Sequence, residues 1–161
     1  LFRSVADDEA KHFLLLNDRL QALDGTYGDL PAHNGLWESA IATKDDILAR
    51  LAVVPMVLEA RGLDVTPMMI EKFTQVGDPE TVEALKIIYE DEIGHVAVGR
   101  RWFEHVADER GLDHETTWHS LVRTHFHGQV KRPFNKPARS EAGMRPEYYE
   151  PLADWYEGID L

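Results

Sequence analysis

Two copies of one pattern, Glu-x-x-His, constrain this chain more than any other feature. The first is Glu9 with His12 in "DDEAKHF", and the second is Glu92 with His95 in "DEIGHVA". Around each, apolar residues recur at three- and four-residue steps, the period of one α-helix face. The first face reads Phe2, Val5, Glu9, His12, Leu16 and Leu23; the second reads Leu85, Ile88, Glu92, His95, Gly99, Trp102 and Val106. Both glutamates and both histidines are thus expected on faces that a helix turns toward a core. A buried carboxylate is costly unless it is paired, hydrogen-bonded or bound to a metal. Some compensating partner is required.

A third stripe, Leu48, Ala52, Pro55, Glu59 and Gly62, carries one more inward carboxylate, Glu59. A histidine three residues after a glutamate lies about one turn along the same face, so both can ligate one ion. Two such pairs facing each other, with further glutamates bridging, form a dinuclear carboxylate site inside a helical bundle. Oxygen and imidazole donors without thiolate suit iron, with manganese as the alternative. The zinc-protease pattern does not fit, since it sets two histidines four apart around a glutamate. Burial of a Glu or His against Arg or Tyr explains isolated cases, but not Glu9, His12, Glu59, Glu92 and His95 together on three stripes.

Composition narrows the remaining classes. At 161 residues and 43% hydrophobic, residues 1–161 fit a single domain large enough for a real core. With no cysteine, disulfides, thiolate metal sites and a cysteine nucleophile are excluded. The net charge of −12 argues against a general nucleic-acid surface. No apolar run is long enough to span a membrane and no signal-peptide pattern occurs, so the expected location is the cytoplasm. Lys131, Arg132, Lys136 and Arg139 form a basic cluster, expected to be solvated surface, with an anionic substrate or RNA contact as the alternative.

Helix signals dominate and the fold class is all-α. The first helix is expected to reach about Leu23, where Asp24, Gly25 and Gly28 stop it. A connector from Gly25 to Ala42 comes next, with a short helical piece over Leu36–Ile41; fully extended it could reach about 60 Å, enough to travel back along a bundle. Thr43, with Asp46 at the capping-box position, is expected to open a helix that Gly62 closes. Thr66 and Pro67 then start a short helix ended by Gly77. Asp78 followed by Pro79 is the strongest start signal, an N-cap before a proline at the first helical position. The helix it opens is expected to end at Arg110, roughly 48 Å long at about 1.5 Å per residue. Asp113 caps a last helix through about Val130, and residues 132–161 are expected to be an irregular tail on the surface. Pro55 should bend its helix, Tyr89 is placed to hydrogen-bond a ligand, His33 suits a loop or cap role, and His125 suits a satisfied core position.

At these residues the chain resembles the ferritin-like di-iron carboxylate superfamily, whose ligands run Glu, Glu-x-x-His, Glu, Glu-x-x-His over four helices. The stretches "DDEAKHFLLLNDRL", "YGDLPAHNGLWE", "LAVVPMVLEARGLDVTP", "DEIGHVAVGRRWF" and "KRPFNKPAR" look more closely like an uncharacterised, mainly bacterial ferritin-like family known as a domain of unknown function. The resemblance implies that Glu9, His12, Glu59, Glu92 and His95 hold two iron ions. It implies a ferritin-like four-helix bundle with a long crossover, an extra C-terminal helix, and its first helix absent from these residues. The chain opens on Leu1, inside a helical pattern with no capping residue ahead, in keeping with a missing upstream segment. The implied activity is that of an oxidoreductase activating dioxygen or peroxide, with a small-molecule substrate. An iron-oxidising storage or handling protein and a non-catalytic scaffold with a degenerate site are the alternatives. Because the remaining helices leave apolar faces uncovered, pairing of chains into a dimer is expected.

Overall fold

The structure, a computed structural model, describes residues 2–153 and contains no strand among them. It is an all-α bundle. Helix α1 spans Phe2–Ala22, α2 Gly35–Ala42, α3 Ile47–Val53, α4 Ala60–Gln75, α5 Pro79–Glu109, α6 His114–His125, α7 Lys136–Glu141 and α8 Pro146–Tyr149. Between α3 and α4, Val54–Glu59 forms a wide π turn, and a 3-10 turn, Glu150–Leu152, comes after α8. No helix among the described residues is long and apolar enough to cross a membrane.

Helix α5 is the axis of the molecule, with α1, α3, the π turn, α4, α6 and α7 all packed against it. Its start is the one read from sequence: the Asp78 carboxylate accepts from the Thr81 amide at 3.0 Å, and Pro79 occupies the first turn. It ends at Glu109, with Gly111 at φ 66 just beyond. Asp113 caps α6 through the Thr116 amide. That helix stops at His125, five residues short of the expected Val130.

Three expected boundaries are corrected. Thr43 is not an N-cap; it ends α2, donating its hydroxyl to the Ser39 carbonyl, and Asp46 caps α3 through the Leu48 amide. Gly62 does not close a helix, and no second helix starts at Thr66. The chain stays helical from Ile47 to Gln75 because Ala60, Leu63, Asp64 and Thr66 form a buried face along α4. Pro67 is tolerated inside α4 for a specific reason. A proline leaves the carbonyl four residues back without its amide donor, and here that carbonyl, on Leu63, accepts from Asn135 Nδ2 at 3.0 Å.

The expected irregular surface tail is also corrected over its described part. Residues from Lys136 to Leu152 form α7, α8 and the 3-10 turn, and Ala138, Met144, Tyr148, Tyr149 and Leu152 join Trp118, Phe103, Met56 and Leu63 in the core. Arg139, expected in a solvated basic cluster, is buried. Its guanidinium grips Asp64 with two bonds, Nε to Oδ1 at 2.9 Å and Nη2 to Oδ2 at 2.7 Å. Tyr149 and Phe134 lie over it at 4.6 and 5.0 Å. Planar, bidentate pairing with aromatic stacking is what makes such a burial tolerable. The remaining tail, 154–161, lies outside the described residues.

Candidate metal centre

The two Glu-x-x-His motifs meet where α1 crosses α5. Glu9 Oε1 lies 3.1 Å from His95 Nδ1 and 3.6 Å from His12 Nδ1. Glu92 completes the group, with Oε2 3.6 Å from His95 Nδ1 and Oε1 3.9 Å from His12 Nδ1. The two imidazole rings are 5.6 Å apart. Glu9, Glu92 and His95 each offer a donor atom within 4.8 Å of the others, a spacing that one ion can bridge.

Burial is uneven across this cluster. Both histidines and Glu92 are enclosed, whereas the Glu9 side chain is 48% exposed, so its expected place on a buried face is corrected. Leu16 and Leu23 of the same stripe are exposed too. Helix α1 is rotated relative to the simple reading: Asp8, Glu9 and His12 all reach α5, whereas Leu16 does not lie on a buried face. Its packing is chiefly onto α5, so its remaining sides carry few constraints on phase.

Each histidine is held from the opposite helix. His12 Nε2 sits 3.1 Å from Asp91 Oδ2 of α5, and His95 Nε2 sits 3.3 Å from Asp8 Oδ2 of α1. A carboxylate on Nε2 favours the tautomer with the proton on that nitrogen. The Nδ1 lone pairs of both rings then face the centre of the cluster. There, His12 Nδ1, His95 Nδ1 and Glu92 Oε2 are buried and have no well-formed hydrogen bond. Buried polar atoms are rarely left this way, and three occur in this one cluster.

The electrostatics describe the same shortage of positive charge. Burial works against a charged His95, but the carboxylates of Glu9, Glu92 and Asp8 outweigh it and push its pKa up to about 10. Burial first, then repulsion from Glu92 and Glu9, raise Glu59 to about 7 against the opposing effect of His95. Glu59 therefore belongs to the electrostatic neighbourhood of the cluster, at the end of the π turn. His95 lowers Glu9, against the effect of its partial burial.

Comparison with known proteins bears on these residues. A family model described as "Protein of unknown function (DUF455)" matches residues 2–150. The chain belongs to the DUF455 family. A Haemophilus influenzae relative (strain ATCC 51907 / DSM 11121 / KW20 / Rd), described as an uncharacterized protein, is 46% identical over 140 residues. That alignment covers 87% of this chain and 49% of the relative, so the chain spans about half of the relative's length. No solved structure matches.

In this DUF455 chain two functional candidates escaped the sequence reading, Asp8 and Asp91. The signal was present: each motif is Asp-Glu-x-x-His, with the aspartate directly before the glutamate in both copies. Only the crossing of α1 and α5 reveals that each aspartate serves the other helix's histidine. Tyr89 departs from expectation in the other direction. Its hydroxyl accepts from Asn135 Nδ2 at 2.9 Å, which ties α5 to the C-terminal segment rather than to the cluster. His33 accepts from the Gly35 amide in the loop before α2, and His125 Nδ1 sits 2.9 Å from the Ala42 carbonyl. Beside the cluster a cleft of about 560 Å³ is lined by Asp8, Asp91, His95, Arg100, Arg101 and Glu141, opening a path from solvent to the His95 side.

Proposed function

We propose that the α1–α5 cluster is a dinuclear metal centre of ferritin-like type, built for two iron ions with manganese as the alternative. The observation that supports this reading is that one cluster holds His12 Nδ1, His95 Nδ1 and Glu92 Oε2, all buried and all without a hydrogen-bond partner. The donor chemistry fits: two imidazole nitrogens and the carboxylates of Glu9, Glu92 and Glu59 form a hard, thiolate-free set suited to those ions. The ligands are Glu9, His12, Glu59, Glu92 and His95. On this reading the protein is an oxidoreductase that activates dioxygen or peroxide, the bound metals supplying the one-electron redox chemistry.

The chain's own residues prepare that site. Asp8 and Asp91 accept the Nε2 protons of His95 and His12, fix both ring orientations, and leave Nδ1 free to donate its lone pair inward. Lys11, 2.8 Å from Asp91, holds that aspartate in place. Glu92 brings negative charge into a partly dry environment, and Glu59, whose pKa burial raises to about 7, gives up its proton there more readily beside a cation. Without metal, His95 takes up a proton and serves as that cation, in keeping with its raised pKa. The cleft beside His95 gives a small molecule its approach.

Elemental analysis of the full-length protein tests this directly. About two iron or manganese ions per chain are expected, with loss of at least one in His95→Ala. Unchanged metal content in that variant would refute the ligand assignment. Oxidation of the reduced protein by dioxygen, read as oxygen consumed per chain, separates an oxidoreductase from an inert scaffold.

A further inference from the structure

We propose that Pro55 and Gly99 are positioning residues for Glu59: their contact fixes the π turn that aims the Glu59 carboxylate at the α1–α5 cluster. This rests on the metal-centre reading above and assigns a role to two residues outside the proposed ligand set.

The contact is unusually close. A Cβ built on Gly99 would lie 2.2 Å from Pro55 Cβ and 2.3 Å from Pro55 Cγ, far inside any tolerated approach, so only a hydrogen fits there. Both residues are buried. Gly99 lies four residues after His95 on α5, and Pro55 lies four residues before Glu59. The contact therefore joins the helix carrying Glu92 and His95 to the segment carrying Glu59, about one turn from each.

The same proline lies in the first turn of the π segment. In an ordinary α-turn the ring of Pro55 would press on the carbonyl four residues back and leave it without a donor. The backbone that comes after it is wide: the Ala60 amide reaches the Pro55 carbonyl, five residues back, as well as the Val57 carbonyl. The loosened stretch also gives up the Ala52 carbonyl to Trp118 Nε1, at 3.1 Å. A residue added to a turn redirects the side chains beyond it by up to roughly 100°, one residue's rotation. Glu59 is the last residue of that turn, so its direction depends on the turn being held open. Wide turns of this kind are enriched at functional sites. A glycine on the facing helix lets the proline seat deeply enough to hold it.

The experiment is a double-mutant cycle in the full-length protein, titrated with Mn(II) while free ion is read by electron paramagnetic resonance. Pro55→Ala restores the amide and removes the ring. It is expected to keep its helix content while weakening the more labile Mn(II) site at least tenfold, as Glu59→Gln does. The combination of the two should bind no more weakly than Glu59→Gln alone, because both act through one carboxylate. Gly99→Ala disturbs the contact from the other side and should show the same cancellation. Wild-type binding by Pro55→Ala, or losses that multiply with Glu59→Gln, would overturn the inference while leaving the metal centre intact. Loss of helix content in both single variants would also overturn it, since the contact would then hold the fold and not Glu59. Failure of the wild type to bind Mn(II) would remove the metal-centre reading and the inference with it.

Discussion

Two buried charged clusters in this protein solve the same problem in opposite ways. At Asp64 and Arg139, every charge is answered from within: the guanidinium pairs with both carboxylate oxygens, Asp64 also accepts from the Asn135 amide at 2.9 Å, and two aromatic rings close over the pair. At Glu9, His12, Glu92 and His95, acidic groups crowd together and three buried atoms stay unanswered. Burial of charge alone therefore does not mark a binding site. The informative quantity is whether the protein supplies the opposite charge itself or leaves it to a ligand.

The comparison is broken most forcefully at the satisfied cluster. Asp64→Ala leaves Arg139 buried without its partner and should destabilise the fold by about 3–5 kcal/mol, read by chemical denaturation. Replacing both residues with apolar ones of similar volume should cost far less, and metal should not alter either result. If Asp64→Ala proves neutral, the pair does not anchor the C-terminal segment.

At the unsatisfied cluster stability should depend on metal instead. With free Mn(II) at a hundred times its dissociation constant, each independent site is expected to stabilise the folded state by about 2.7 kcal/mol. Thermal unfolding with and without the ion measures this gain. It should disappear in the His12→Ala, His95→Ala double variant, and a gain that persists there would place the ion elsewhere.

Smaller effects sharpen the contrast. Asp91→Asn and Asp8→Asn keep the metal-donor atoms but lose the carboxylates that orient His12 and His95. Each is expected to weaken metal affinity about 10–100-fold. Equal affinity in both variants and wild type would show that the histidines need no orientation. The least effect belongs to Asp46→Ala, which removes the α3 cap on the Leu48 amide and should cost about 1 kcal/mol with metal affinity unchanged.

Much of the molecule was legible because it rests on local chemistry. Asp78 before Pro79 and Asp113 before α6 cap their helices through side-chain bonds within three residues, so sequence neighbours alone specify them. The paired Glu-x-x-His spacing likewise needs only the helical period to place each Glu and His near one another. Gly62 and Pro67 misled for the complementary reason. The local tendency of Gly62 to close a helix and of Pro67 to open a new one is overridden by a buried face and, for Pro67, by a donor from Asn135, 68 residues further along. The proline-rich stretch near the end read as surface because its charges and turn residues suggested exposure, while its anchor, Arg139 on Asp64, spans 75 positions.

What the sequence by itself determined is the all-helical architecture, the main helix starts, and the residue types gathered for the candidate centre, since each is written in periods and caps of a few residues. Only the tertiary structure decided that Asp8 serves His95 and Asp91 serves His12, that Glu9 stands half in solvent, and that Pro55 rests on Gly99. These depend on the rotation and separation of packed helices. Those degrees of freedom are set by side chains meeting across the bundle, which no local pattern encodes.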